Sequence, residues 1–369
     1  MTRSGVQGYP EVIRDRLMAQ FIREKTLYAT EDNWVLRSKD NGTHWEKVCT
    51  LAIRNPTRLA HFKDRVLRWQ PVLKFRRNIG IHNLVVMRSG TILIHYDGIY
   101  RYSGDKPFAK WIYGFEAEKL FGPLTNGMVV DDQTDTVYFG EYSIRRPHAV
   151  RILKGTDDGR RWEICYTFAT GRIRHVHTLV PDPYRKRLWI CAGDNDAEAG
   201  LFYTDDGFRS VKRFAGGDQS WRMVSLIPTE DALFWGSDAG QDAPSDRLNH
   251  IFKWDFRSGQ RHCLACIDKP AYYATRLRDG TMAMGIHYEP QIRRAVEASA
   301  ELWICRDQAS WSKTLSLPFK PSGRRAGTPY ASLRLPLGDG SLNAIYFTPL
   351  NVEKFDFTLM RIHPGAPMN

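Results

Sequence analysis

From residue 25 onward, apolar positions come in short runs or alternate with polar ones, and turn residues break them up. Examples are GTILIHYDGIYRYSG (90–104), TVYFGEYS (136–143), RLWICAGD (187–194), ALFWGSD (232–238) and TMAMGIHY (281–288). Runs of this length bounded by Gly, Asp, Asn or Pro are the signature of strands joined by hairpins. Helical spacing of apolar residues occurs only near residues 10–24 and 113–120. The pattern predicts an all-β chain whose N-terminal extension, residues 1–24, has the spacing of a helix.

The strands recur as a unit: a polar or aromatic residue, an apolar strand, a turn, and a second strand ending in small or polar residues. Such units begin at His82, Asn126, His175, Trp221, Tyr272 and Tyr330, at intervals of 44, 49, 46, 51 and 58 residues. An earlier stretch, LYATEDNWVLRSKDNGTHWEKVC (27–49), brings the count to seven, with six as the alternative. A period of about 40–50 residues with several short strands per unit is that of a β-propeller, whose four-stranded blades pack on one another in a ring without long exposed edges. The expected organisation is one propeller domain over 25–369, closed by pairing of the N-terminal strands with FDFTLMRIHP (355–364).

Three octapeptides punctuate the units: SKDNGTHW (38–45), GTDDGRRW (155–162) and the looser YTDDGFRS (203–210). Asp and Gly at these positions suit a tight turn between the third and fourth strands of a blade, with the Trp tucked beneath it. The motif resembles the Asp box (BNR repeat) of sialidase-like propellers, and the resemblance covers nearly the whole chain through its phase with the repeat. It implies a propeller with Asp40, Asp157 and Asp205 on the face away from any active site.

Composition narrows the class. An apolar fraction of 42% with 12% aromatics can bury a large core, and no run approaches the roughly 20 apolar residues that span a bilayer. The first thirty residues mix charge into every apolar run, so no secretory signal is expected and the expected location is the cytoplasm. Six cysteines are too sparse for a disulfide framework, and Cys263 and Cys266 form a single C-x-x-C without a second pair. The formal charge of +12 favours a polyanionic partner, and no nucleic-acid-binding module is present to make that partner a nucleic acid.

The resemblance places a site where the innermost strands start and the loops after the second strands gather, around the mouth of the central channel. His175 and His177, in RIRHVHTL, point to one side of a strand and are the expected acid/base pair, with Tyr330 and Tyr273 assisting. Arg222 is expected on a substrate carboxylate and Trp221 as a sugar platform. His82, Asn126, Glu141, Arg146, Asp194, Asp238 and His287 complete the expected substrate-binding set. No cofactor is expected and no metal ligand is assigned, although histidines around one axis can hold a divalent metal.

Sialidases of this family use arginines on the substrate carboxylate, an acid/base Asp, and a Tyr nucleophile assisted by Glu; TPYASLR (328–334) resembles the late Tyr segment and offers Tyr330. The mixture of His, Tyr and Arg is also similar to that of propeller polysaccharide lyases. These resemblances imply a carbohydrate-active enzyme that cleaves a glycosidic bond in a uronate- or sialate-containing glycan, as glycoside hydrolase or polysaccharide lyase. The alternative is a non-catalytic propeller serving as binding module or assembly scaffold. Arginines facing the channel beside His175 and His177 favour the enzyme, and a basic outer face favours the scaffold.

Overall fold

The computed structural model describes residues 10–52, 79–116, 119–145, 147–244, 249–292, 296–321 and 329–364, with isolated positions at 62, 65, 66, 69, 71, 72 and 246. It is a seven-bladed β-propeller of four-stranded antiparallel blades. Blades 1 to 6 begin with the innermost strands Met18–Arg23, Asn83–Val86, Met128–Asp131, Val176–Asp182, Ile227–Pro228 and Ala271–Arg276, and blade 7 with Ser332–Arg334. The repeat read from the sequence therefore marks the blades, its starting points lying within a few residues of most inner strands.

Blade 7 is built from both ends of the chain. Its outermost strand is Glu11–Asp15, which pairs antiparallel with Thr358–Ile362. Leu337 and Gly338 pair in parallel with Phe21 and Ile22 of the blade 1 inner strand, joining the last blade to the first. The outer strands of blades 1 and 2 also meet, Thr50 opposite Phe108 and Leu51 opposite Ala109, so these two blades and Leu337–Gly338 form one nine-stranded sheet.

The helical reading of residues 10–24 is corrected: Glu11–Asp15 and Met18–Arg23 are strands. MAQFI is buried on both faces, and a short run without a polar face carries no period that separates strand from helix. Of residues 113–120, Tyr113 ends the strand Phe108–Tyr113, and 117–118 lie outside the described residues.

Burial falls from the channel to the rim. Ile92–His95, Ala232–Gly236 and Met282–Ile286 are buried throughout, whereas the outer strand Gln260–Cys266 is largely exposed. Where the second strand of one blade meets the inner strand of the next, glycine permits the approach. A Cβ at Gly140 would lie 2.4 Å from the Cβ of Val176, and one at Gly236 would lie 2.3 Å from the Cβ of Ala271. Any side chain there would force two sheets apart, because close-packed interiors cannot absorb the extra volume.

The three octapeptides occupy the third-to-fourth-strand hairpins of blades 1, 3 and 4. Trp45 Nε1 donates to Gly42 O at 2.9 Å, and Trp162 Nε1 donates to Gly159 O at 3.0 Å, so each indole closes its own turn. In blade 1 the Ser38 hydroxyl donates to Asp40, whose Oδ1 also accepts from His44 N at 2.9 Å. The blade 4 copy is displaced by one residue from its sequence alignment. Thr204 donates to Asp206, which accepts from Ser210 N at 3.0 Å, so Asp206 and not Asp205 holds the turn.

In blade 3 a second aspartate ties neighbouring blades together. Asp158 accepts from Ser89 Oγ at 2.6 Å and from Thr91 Oγ1 at 2.7 Å, and pairs with the largely buried Arg101 of blade 2. Asp158→Ala leaves that guanidinium without its carboxylate, and a loss of about 2–3 kcal/mol is expected in chemical denaturation. A change below about 0.5 kcal/mol would show that the contact is incidental.

Candidate functional site

A cavity of 690 Å³ opens where the inner strands of blades 4 to 7 begin, and its wall includes Tyr142, Arg145, Arg174, His177, Asp194, Arg222, Asp238, Asp242, Tyr272, Tyr273, His287, Glu289, Tyr330 and Arg334. A second cavity of 360 Å³ lies at the far ends of those strands and is lined by apolar residues such as Leu179, Leu226 and Leu337, with Asp131, Asp132, Arg276 and Asp339 as its ionisable residues. The concentration of ionisable groups belongs to the first.

Two strand irregularities aim side chains into it. The register of Val176–Asp182 slips at His177, and that of Ala271–Arg276 slips at Tyr272. A β-bulge adds one residue to one strand and turns its side chain away from the pleat, and bulges are common beside binding sites for that reason.

His175 and His177 come together with Asp194. The two Nε2 atoms are 2.9 Å apart, and each lies 3.1–3.2 Å from Asp194 Oδ1. His175 Nδ1 is 3.0 Å from Ser143 O and His177 Nδ1 is 2.9 Å from Met223 O. A carbonyl oxygen only accepts, so both Nδ1 atoms carry hydrogen and donate. Burial lowers the His177 pKa despite the adjacent Asp194, leaving that ring neutral. Burial works against ionisation of Asp194, while Arg222, 3.4 Å from its Oδ1, favours it. Arg174 also pairs with Asp194, at 3.0 Å.

Arg222 is surrounded by acid. Its guanidinium lies 3.2 Å from Asp238, 2.8 Å from Asp242 and 3.4 Å from Asp194. Three carboxylates around one guanidinium carry more negative charge than it neutralises, and the most enclosed of them responds. Burial pushes the Asp238 pKa well above its ordinary value against the pull of Arg222, and Glu289, Asp194 and Asp242 push it the same way. Asp238 is therefore the carboxyl of the cluster with the strongest tendency to keep its proton, and its Oδ1 is buried without a partner among the described residues.

Across the cavity, Tyr272 donates to Glu289 Oε1 at 2.6 Å, and Glu289 Oε2 accepts from Gln241 N at 2.7 Å. Burial, Asp238 and Glu289 together hold the Tyr272 phenol protonated. Tyr330 is pushed up to about 12, mainly by burial and then by Glu289 and Asp238.

Arg334 differs from the other buried cations. Lys269, 2% exposed, reaches Glu301 at 2.6 Å and Ser299 O at 2.8 Å, and Arg222, 6% exposed, has its three carboxylates. Arg334 is 4% exposed, lines the cavity, and has no hydrogen bond or ion pair among the described residues. Its guanidinium lies over the face of Tyr273, 4.9 Å from the ring centroid.

Of the residues expected from the sequence, His177, Tyr330, Tyr273, Asp194, Arg222, Asp238 and His287 line this cavity, and His175 is fully buried against His177. Four others do not reach it. Glu141 is fully buried, with its oxygens held by Arg151 at 2.8 Å and by the backbone of Phe121 and Arg151. Trp221 stacks on Trp235 in the core between blades 4 and 5 instead of forming a platform. His82 packs against His95 and Tyr96, and Asn126 lines the smaller cavity. Arg146 lies outside the described residues.

Arg334, Asp242 and Gln241 are cavity residues that the sequence reading missed. Alternation along YASLR puts Tyr330 and Arg334 on one face of a strand, a signal that was present for Arg334. Asp242 and Gln241 sit in a loop with no period to mark them.

No family model matches the chain, and no curated protein matches it. Solved structures do. The chain is similar to an oligogalacturonate lyase in complex with manganese, at 10% identity and a TM-score of 0.60, covering 97% of this chain and 98% of that one. It is similar to an ancestral GH74 enzyme at 11% identity and a TM-score of 0.57, covering 95% of this chain and 45% of that one. The GH74 xyloglucanase from Xanthomonas campestris is similar at 13% identity and a TM-score of 0.56, over 94% of this chain and 52% of that one. The chain thus spans about half the length of these GH74 structures. At such identities the likeness is one of fold, the β-propeller.

Proposed function

We propose that this chain is a carbohydrate-active enzyme of the cytoplasm that cleaves a glycosidic bond in an acidic glycan carrying uronate- or sialate-type carboxylates. The observation that carries the reading is Arg334, a buried guanidinium that faces a cavity and has no anion among the described residues. An uncompensated buried charge is costly, and a ligand carboxylate is the group that removes the cost by a bidentate pair. The structures of similar fold include an oligogalacturonate lyase and a xyloglucanase, which is consistent with a glycan in the channel.

The remaining roles follow from protonation. Asp238 holds a proton and is suited to deliver it to the glycosidic oxygen as the leaving group departs. Tyr272 with Glu289 forms a proton-accepting pair: as the phenol oxygen takes a proton from the sugar or attacks it, Glu289 receives the phenolic proton. Tyr330 lines the same cavity as a neutral donor. The acid/base work is thus assigned to Asp238 and the Tyr272–Glu289 pair instead of His175 and His177, whose Nδ1 atoms are tied to backbone carbonyls. Arg145, Arg174, Arg222 and Arg334 all face that cavity beside His177, which favours a ligand pocket over an outer docking face.

The test is a screen of purified protein against sialosides and glucuronate- or galacturonate-containing oligosaccharides, followed by reducing-end release and by ultraviolet absorbance of an unsaturated uronate. Both signals together identify a lyase, and reducing ends alone identify a hydrolase. If no acidic glycan is cleaved, with or without divalent metal, the enzyme reading fails and a binding or scaffold role replaces it.

A further inference from the structure

We propose that His175, His177 and Asp194 form a site for a divalent first-row transition-metal cation, set in the wall of the larger cavity. The inference goes beyond the glycan reading and does not depend on it. Three donor atoms converge here, His175 Nε2, His177 Nε2 and Asp194 Oδ1, with separations of 2.9, 3.1 and 3.2 Å. Both rings donate Nδ1–H to backbone carbonyls, so in their neutral forms both Nε2 atoms present lone pairs to each other and to a carboxylate oxygen. Three acceptors facing one another without a hydrogen between them repel. A cation between them converts the repulsion into three bonds.

Several details suit a metal. Histidine ligands characteristically donate their second ring nitrogen to a carbonyl or carboxylate, which fixes the tautomer and the ring plane, and both rings here do so. Donors at about 2.1 Å from a metal and at right angles to one another are about 3.0 Å apart, against about 3.4 Å for tetrahedral ligands. The observed separations match one face of an octahedron. Two imidazoles and one carboxylate in that arrangement are a ligand set for Mn²⁺, Fe²⁺ or Co²⁺ with positions left for water or substrate. His177 and Asp194 line the cavity, so a cation held there is within reach of a ligand. Asp194 Oδ2 is paired with Arg174 at 3.0 Å, and Oδ1, which lies 3.4 Å from Arg222, is the oxygen that faces both rings.

The competing account is a single proton shared among the three groups. To decide, the full-length protein is stripped with a chelator, reloaded with Mn²⁺, passed through gel filtration and analysed for metal, with calorimetry for affinity. The expected result is one Mn²⁺ retained per chain, with pulsed electron paramagnetic resonance detecting imidazole nitrogen coupled to the ion in the unmodified protein. His177→Ala and Asp194→Asn are each expected to weaken binding at least about 100-fold. The double variant Cys263→Ser/Cys266→Ser, which removes the exposed thiols of the outer strand, is expected to bind as before.

Failure to take up Mn²⁺, Co²⁺ or Zn²⁺ at millimolar concentration overturns the proposal, as does bound Mn²⁺ without nitrogen coupling. Because the nitrogen signal is read on the unmodified protein, a variant that does not fold leaves the decision intact. Glycan cleavage is not part of the readout, so loss of the metal site and loss of the glycan reading are distinguishable.

Discussion

Replacing Arg334 with methionine is expected to raise the stability of the folded protein and, in the same variant, to cut kcat/KM on an acidic glycan by about 100- to 1,000-fold. The two effects have one cause. Arg334 is buried, faces the cavity and has no carboxylate among the described residues, so in the free protein its desolvation is not offset by Coulomb attraction. Burial itself pulls this guanidinium below its usual pKa, with only the Tyr273 phenol working the other way. Methionine keeps an unbranched stem against the Tyr273 face and discards the charge, for a gain of about 1–4 kcal/mol in chemical denaturation.

Catalysis moves in the opposite direction because the carboxylate of the glycan loses its counter-ion in a water-poor cavity. Neutral oligosaccharides, should any bind, are expected to lose nothing. A variant that is less stable than the parent and keeps its preference for acidic glycans would assign Arg334 to the fold instead of the ligand. Such a trade of stability for function is what a binding group held in an unfavourable free state produces.

The same residue marks the boundary of what the chain discloses before it folds. The spacing of HNLVV, NGMVV, HVHTLV and YYATRL was enough to locate inner strands, because each run is short, apolar and followed by a turn at a constant phase. The cavity residues His177, Asp194, Arg222, Asp238, His287 and Tyr330 followed from that phase together with the propeller resemblance, which also selected Trp221, His82, Asn126 and Glu141 outside the cavity. Glu141 and Tyr142 show where it stops working. They are adjacent and both follow a second strand, but alternation sends Glu141 to Arg151 and Tyr142 to the cavity.

The bulges at His177 and Tyr272 are set by pairing with the next strand, and no residue type announces them. Charge state is the least visible property. Asp194 and Asp238 are both aspartates beside Arg222, yet the pKa of one is lowered and that of the other raised. That difference arises from burial and from the number of neighbouring carboxylates, both of which exist only in the folded chain.

Asp238→Asn is expected to separate these two states experimentally. An acid whose pKa is raised on folding keeps its proton in the native protein at a pH where the unfolded chain has released it. Folding then takes up a proton, so the stability contributed is fully present below the unfolded pKa, about 4, and declines as pH rises toward the folded value. Asparagine cannot ionise in either state, so the variant escapes that decline. The stability of Asp238→Asn relative to the parent is therefore expected to be lowest below pH about 4 and to increase as pH rises to neutrality, measured by denaturation at each pH.

The proton that the fold takes up is also the one proposed for the leaving group, and its removal is expected to lower the cleavage rate by about 100- to 10,000-fold. Substrates whose leaving group departs without protonation, such as nitrophenyl glycosides, are expected to recover most of the loss. That rescue distinguishes a missing proton from a distorted cavity, in which every substrate would suffer alike. If the relative stability does not change with pH and the rate on all substrates is unaltered, Asp238 is an ordinary ion-pair partner of Arg222 and the acid must be sought elsewhere on the cavity wall.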